Sequence, residues 1–562
     1  MIHGRVNSTI VAVLLGLVTP SFAGFTGFDQ FGSGVSSGAA WGDYDADGDL
    51  DLAISNLNEQ NRLYRNDGAE VFLGLNAAGK GFGGLAWGDF DNDGDLDVAA
   101  SQNERRTILF RNDGGDIFAE VDTFGEAFRT LSLAWGDYDN DGDLDLALGN
   151  GGPNILVENL GDGTFAELSN FSGWGTYSVA WADYDDDGDL DLAVANGNSQ
   201  PSKLFKNDGS GNFIELDRFG SGNSRGLAWG DYDNDGDLDL AVINYGEQNR
   251  LYRNVGGDIF TELLRFGTGV GFDLAWGDYD NDGDLDLAVS SLTSGNKIYV
   301  NHGTDFIPPG VIPVGGDAET YALAWGDYDN DGDLDLAVAN RGQNKLCRND
   351  EDDGDYIKVR LEGLGPPGYS NKDGIGAKVK IYDAGTTNLR GFREVSAGSG
   401  YCSMNSLEAE FGVPAGDTFD VEVTWPVSGG VCLVEDVIPP AVLNVREDCA
   451  VTGIDESMEG HESARLVLRL KQNQPNPFRS VTIIPCEIKR CPSTAVGSMS
   501  LDVYSITGRH VANLLRSKCQ VGVYETHWDG TDRAGNKLPS GVYFCVLRIG
   551  ELQERRRLEL IR

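Results

Sequence analysis

The stretch Asp231-Tyr-Asp-Asn-Asp-Gly-Asp-Leu-Asp239 places five carboxylates in nine residues, and its pattern, D-x-D-x-D-G-D-x-D, occurs seven times in the chain. The acidic residues are Asp43, Asp45, Asp47, Asp49 and Asp51 in the first copy and Asp89, Asp91, Asp93, Asp95 and Asp97 in the second. The third has Asp137, Asp139, Asp141, Asp143 and Asp145, and the fourth Asp183, Asp185, Asp187, Asp189 and Asp191. Asp231, Asp233, Asp235, Asp237 and Asp239 make the fifth, and Asp278, Asp280, Asp282, Asp284 and Asp286 the sixth. Asp327, Asp329, Asp331, Asp333 and Asp335 complete the set. Alternate carboxylates on a tight loop suit a hard divalent cation. Calcium takes about six to eight oxygens at ~2.3–2.6 Å, and such a loop can turn alternate side chains and the seventh backbone carbonyl toward one centre. Glycine at the sixth position permits the turn. Magnesium, with its stricter octahedron, is the second choice. The loop is not an EF-hand, because its twelfth position is apolar (Ile54, Val242, Val289) and the ninth aspartate must supply the closing ligand. Asp-Gly turns also join strands without metal. Seven such concentrations of like charge would nonetheless be costly without a cation. The expectation is Ca2+ at about seven sites, with all of these aspartates as candidate ligands.

Something must hold the loops at a regular spacing. Their starts recur every 46 to 49 residues, and each unit contains three or four short apolar phrases bounded by Gly, Asn and Asp. These phrases alternate like strands and show no helical stripe. Four strands per repeat, seven times over, predict a seven-bladed β-propeller across 24–355. Phe25–Phe31 resembles the fourth phrase of a unit and can supply the outer strand of the last blade, hiding two open edges. The Trp that precedes each loop (Trp41, Trp87, Trp135, Trp181, Trp229, Trp276, Trp325) reads as packing between blades rather than as an aromatic ligand cage. Departures from the repeat fall between the ligands: Ala46 and Asp186 replace the usual Asn, Phe90 replaces Tyr, and Ala182 replaces the Gly after Trp.

With 89 acidic residues against 43 basic ones the chain carries a formal charge of −46, which excludes nucleic acid and anionic lipid as natural partners. Residues 1–23 read as a secretory signal: Arg5, the apolar run Thr9–Val18, and Ser21-Phe22-Ala23 before cleavage. No later segment is long and apolar enough for a transmembrane helix, so none is expected in the mature chain. Export makes disulfides the expected state of the eight cysteines, Cys347, Cys402, Cys432, Cys449, Cys486, Cys491, Cys519 and Cys545, whose connectivity stays open. Catalytic constellations are scarce. His302, His461, His510 and His527 stand in no motif with a Ser or Cys nucleophile.

The A-W-G-D-Y-D-N-D-G-D-L-D-L-A-V units resemble FG-GAP/VCBS repeats, the calcium-loop propeller blades also found in integrin α chains. That resemblance implies structural calcium sites joining neighbouring strands of a blade. From Tyr356 a new pattern begins. Asn371-Lys-Asp-Gly-Ile-Gly-Ala-Lys-Val379, Arg393-Glu-Val-Ser-Ala-Gly-Ser-Gly-Tyr401 and Trp425-Pro426 are similar to the ASPIC/UnbV domain, implying a small β domain over 356–450. A polar linker is expected over 451–464. Residues 465–562, with Gln472-Asn-Gln-Pro-Asn-Pro-Phe478 and Ser540-Gly-Val-Tyr-Phe544, resemble FlgD-like immunoglobulin folds and type IX secretion sorting domains. They imply an immunoglobulin-like β-sandwich that engages secretion machinery, or serves stability alone. The whole reads as an all-β protein, secreted or on the bacterial outer surface, that binds an extracellular protein or glycan without catalysis. The alternative is a calcium-dependent enzyme acting on polysaccharide, which would need one blade with divergent loops. Fold alone does not choose between them.

Overall fold

The structure is a computed structural model. It describes residues 25–562 apart from 29–30, 32–33, 58, 69–71, 76–82, 103–105, 126–127, 170, 172–174, 210, 217–218, 220–222, 304–305, 315–318, 350–354, 455–467, 471–477, 489–497, 506–508, 519–521, 534–535 and 550–551. The expected signal segment lies outside the described residues. Among the described residues every helix or strand element is a strand, and no helix is long and apolar enough to cross a membrane. The chain divides into two compact units, 1–456 and 457–562, at a point inside the expected linker. Residues 356–450 lie in the same unit as the repeats.

Each repeat forms one antiparallel sheet. In the third, Thr130–Gly136, Asp145–Asn150, Ile155–Asn159 and Phe165–Ser169 follow one another in space as in sequence. Gly136 pairs with Asp145, so the acidic loop is the turn between the first two strands and its ninth residue already belongs to the second. In the last sheet Phe25–Phe28 pairs with Lys345–Asn349 as the outer strand, the place the sequence suggested for it. The first two strands of the second repeat, Leu85–Gly88 and Asp97–Gln102, are buried along their whole length. Neighbouring sheets cover both their faces, which is why they lack alternation.

The contact between successive sheets is made by the repeated Trp and the small residues around it. The indole Nε1 of Trp87 donates to the Ala40 carbonyl (3.3 Å), Trp135 to Ala86 (3.3 Å), Trp181 to Ala134 (3.2 Å), and Trp41 reaches Ala324 of the last repeat (3.0 Å). Packing, not a ligand cage, is the role of these rings. The repeated sheets thus fit a propeller-like fold. The glycine after each Trp is required by the same contact: a Cβ on Gly88 would stand 2.9 Å from the Trp135 ring. Where the sequence has Ala182 instead, the facing Trp229 is only partly buried and its Nε1 finds no hydrogen-bond partner. Gly88→Ala should therefore push Trp135 out in the same way and cost about 1–3 kcal/mol. Equilibrium denaturation checks this, and an unchanged midpoint would count against the close-approach argument.

Residues 355–454 add two sheets. One orders Ala409–Val413, Asp355–Glu362, Ala441–Arg446 and Val451–Ile454, and the other Leu389–Glu394, Lys378–Asp383, Phe419–Thr424 and Val431–Val437. Ile357, Val379, Phe411, Val421 and Trp425 are buried in their shared core. Between the second sheet and Ala409 the chain leaves this body as a finger, 395–406, that runs along the first strands of the repeats. The Ala397 carbonyl accepts from Trp135 N (2.8 Å), Gly400 N donates to Leu227 O (2.8 Å), and Ser403–Met404 pairs with Ala39–Ala40 as a fifth strand of the first sheet. Met404 Sδ accepts from Trp87 N (3.3 Å), Asn405 Oδ1 from Trp325 N (3.0 Å), and the Ser178 hydroxyl bonds the Gly400 carbonyl. Asp273 accepts from Tyr401 N (2.5 Å). All seven repeats touch this one finger.

The unit 457–562 contains two sheets of its own. Leu468–Leu470, Thr482–Ile488 and Gly522–Trp528 form one; His510–Lys518, Ser498–Ser505, Gly541–Ile549 and Leu552–Leu560 form the other. They enclose Ile484, Leu501, Trp528, Cys545 and Leu558. The expectation of general disulfide pairing needs correction. One bridge, Cys432–Cys449, is present, whereas Cys402 and Cys545 are buried free thiols; Cys347 and Cys486 are buried as well. Cys347 and Cys402 sit in different apolar clusters and pack as small hydrophobic side chains. Cys491 and Cys519 lie outside the described residues.

Candidate metal centre

The loop geometry is set first by backbone conformation. The fourth residue is left-handed in every copy (φ 51° to 59°) and the sixth-position glycine has φ of 93° to 99°. Asparagine tolerates the first conformation better than most residues, which explains its recurrence there. These bends let the first aspartate cap its own loop. Asp89 Oδ1 accepts from Asp93 N (3.0 Å) and its Oδ2 from Gly94 N (2.7 Å), and Asp137 does the same with Asp141 N (3.1 Å) and Gly142 N (2.9 Å). The same cap forms at Asp43, Asp183, Asp231 and Asp327, while Asp278 holds Gly283 N (3.1 Å). The fifth aspartate in turn accepts from the seventh amide, as Asp47 does from Asp49 N (3.0 Å).

The ninth aspartate closes the turn from the other side. Asp97 Oδ1 accepts from Asn112 N (2.7 Å) and its Oδ2 from Phe90 N (3.2 Å), and burial pushes its carboxyl up to about 9. First, third and ninth carboxylates converge: Asp43, Asp45 and Asp51, then Asp89, Asp91 and Asp97, then Asp137, Asp139 and Asp145 each bring oxygens within 4.8 Å of one another. The fifth lies at the rim, where Asp47 joins Asp45 and Asp67 in a second cluster. The seventh side chain turns away. Asp143 Oδ1 accepts from Nδ2 of Asn92 (3.0 Å), Asp189 from Asn140 (2.8 Å), Asp284 from Asn234 (2.7 Å), Asp333 from Asn281 (2.7 Å) and Asp49 from Asn330 (2.8 Å). Each of these bonds joins two successive loops.

A second ring was hidden in the phrase N-R-L-Y-R-N-D-G. Asn112 Nδ2 donates to the Tyr44 carbonyl of the preceding loop (2.8 Å), Asn159 to Phe90 (2.8 Å), Asn254 to Tyr184 (2.7 Å), and Asn66 to Tyr328 of the last (2.8 Å). The recurrence of that Asn was the available signal. The fourth-residue link is missing at Ala46 and Asp186, and Ala46 bears a left-handed φ of 56°. Ala46→Asn should relieve the backbone and donate to Asp95, stabilising the protein by about 1 kcal/mol. Urea denaturation tests it: a midpoint that falls or stays put contradicts the linking role.

Residues 356–410 bring cations to the same loops. Lys358 Nζ lies 2.7 Å from Asp327, Lys378 Nζ 2.7 Å from Asp183, and Arg393 3.9 Å from Asp278. Burial opposes the charge on Lys358, but Asp327, Glu408 and Glu410 outweigh it and hold the amine protonated. The residues nevertheless leave oxygens over. Asp185, Asp233 and Asp329 each have a buried Oδ1, and Asp191 a buried Oδ2, with no hydrogen-bond partner. Lone pairs of this kind, all from carboxylates, fit a hard cation such as calcium.

Comparison with known proteins agrees with this organisation. The ASPIC and UnbV family matches residues 367–451, and no curated protein matches the chain. The FG-GAP-like repeat matches 43–100, 89–148, 137–194, 183–242, 231–289 and 278–338, each match running from one acidic loop through the next. Since these segments together cover more than half of its residues, the chain belongs to the FG-GAP-like repeat family.

Proposed function

We propose that this protein is a secreted or surface-held scaffold for binding, built as a seven-bladed β-propeller in which each acidic loop holds one calcium ion. The observation that carries the reading is the convergence of first, third and ninth carboxylates, with unpartnered oxygens, at the turn of successive repeats. Calcium supplies positive charge that ties the two strands of a hairpin; the chain supplies the rest through its caps and loop-to-loop amides. The finger fills the centre of the ring, so the ligand, an extracellular protein or glycan, meets the end of the ring away from the loops. There Tyr177, Tyr245, Phe272 and Tyr321 gather near Tyr401, with the Arg225 guanidinium 3.7 Å over the Tyr177 ring. Aromatic faces beside a cation suit sugars and peptides alike.

A non-catalytic role accords with how the imidazoles are engaged. His510 Nε2 is 2.7 Å from Asp502, and the Ser500 hydroxyl donates to that same carboxylate rather than to the ring. That arrangement activates no nucleophile. The C-terminal unit is read as an immunoglobulin-like sandwich for sorting or attachment, and the mature chain as starting at Gly24. Elemental analysis after calcium equilibration should find several ions per chain, and replacing Asp231, Asp235 and Asp239 together with Asn should remove one. A count near zero overturns the calcium reading; calcium-dependent release of sugar ends from a polysaccharide panel overturns the non-catalytic one. Loss of 465–562 should change where the protein is found, and an unchanged location would leave that unit a stabilising role only.

A further inference from the structure

We infer that the seven loops are graded in calcium affinity, with Asp137–Asp145 the tightest site and Asp183–Asp191 among the weakest. This rests on the calcium reading above and adds an order to it. The residue just before the repeated Asn of the third strand stands beside the loop, and its type varies: Arg65, Arg111, Glu158, Lys206, Arg253, Val300 and Arg348. In the fifth repeat Arg253 lies 2.9 Å from Asp233 and 2.7 Å from Asp235. In the fourth, Lys206 forms an ion pair with Asp185 and lies 3.8 Å from Asp187, while Lys378 from the neighbouring sheet holds Asp183 and Asp186. Two ammonium groups therefore already occupy the third and first ligands of that loop. A metal ion must displace or repel both.

The third repeat is the opposite case. Among the described residues no Lys, Arg or His forms an ion pair with Asp137, Asp139, Asp141, Asp143 or Asp145. At the position of Lys206 it has Glu158, next to Asn159, whose N–H donates to Asp145 (2.8 Å). That site offers one more negative charge and no internal counter-ion. At ~6 Å a unit charge changes the affinity for a divalent ion about tenfold even in a water-like dielectric, so the difference between these two loops should span at least two decades.

Calcium titration of the full chain by calorimetry, with a competing chelator for the tight range, reads the order directly. Wild type should show more than one affinity class. Glu158→Arg should weaken the tightest class by about tenfold or more, and Lys206→Met combined with Lys378→Met should tighten the weakest class by about tenfold. Circular dichroism checks that each variant folds; if Glu158→Arg does not, Glu158→Gln should still weaken the tightest class severalfold. Calcium bound with a single affinity at every site, or a tightest class unmoved by both Glu158 variants, overturns the grading and leaves the calcium reading intact. No bound calcium at all overturns both.

Discussion

Removing calcium with a chelator should lower the melting temperature by roughly 10 °C or more. A ligand at one hundred times its dissociation constant that binds only the folded chain adds ~2.7 kcal/mol per site, and several sites exceed the roughly 5–15 kcal/mol that holds a typical domain. Neighbouring loops share amide links, so the contributions are not a plain sum. pH should separate the two states. Burial pushes the carboxyls of Asp51 and Asp239 up to about 8 and those of Asp97 and Asp191 up to about 9 in the metal-free fold. In the unfolded chain such groups titrate near 3.9. Between those limits the folded state binds more protons, so metal-free stability should fall as pH rises from about 4 toward 9. Bound calcium keeps the carboxylates ionised and should flatten or reverse that slope. Calorimetric melts at pH 5 and pH 8, with and without chelator, decide the matter. A melting temperature insensitive to chelator would refute the structural role of the metal.

Lys358→Met should cost about 3–5 kcal/mol, because it removes one partner from a buried charge cluster. The lysine side chain is 1% exposed and Asp327 is fully enclosed; Nζ lies 2.7 Å from Asp327, 3.1 Å from Glu408 and 3.6 Å from Glu410. Methionine fills the same volume and leaves three carboxylates facing one another in a dry interface. Guanidinium denaturation measures the loss. Because Asp327 is the first residue of the last acidic loop, the variant should also depend more on calcium than wild type does. A change below about 1 kcal/mol would show that the cluster adjusts by taking up protons.

How far the sequence could be read follows from the length scale of each interaction. The acidic loops, the strands around them and the N-terminal strand that completes the last sheet are encoded within one repeat, and all were legible. So was the packing role of Trp41 and its counterparts, because a large ring beside small Ala and Gly recurs at one place in every unit. The seventh aspartates were read as candidate ligands, yet the side chains of five of them answer an asparagine one repeat earlier, a relation between loops that no single loop displays. Asp373, whose Oδ2 accepts from Asp89 N at 2.6 Å, reaches its partner across 284 residues, and Lys358 meets Asp327 from outside the repeats. Only the fold brings them there. The buried thiols Cys402 and Cys545 were misread because composition reports the compartment and not the neighbours of a given sulfur.

The finger at 395–406 has a consequence for how the molecule comes into being. A chain that emerges N-terminus first can build the sheets of the repeats one after another from local pairings, which form quickly. It cannot finish. Met404 meets Trp87 across a separation of 317 residues, and Phe25–Phe28 waits for Lys345–Asn349. Until the finger has been synthesised, the first strands of the repeats lack the partners it supplies, and such incomplete species are the ones exposed to aggregation and in need of chaperones. The last contacts to be made are thus those of residues 395–406, which arrive only after every repeat has been synthesised.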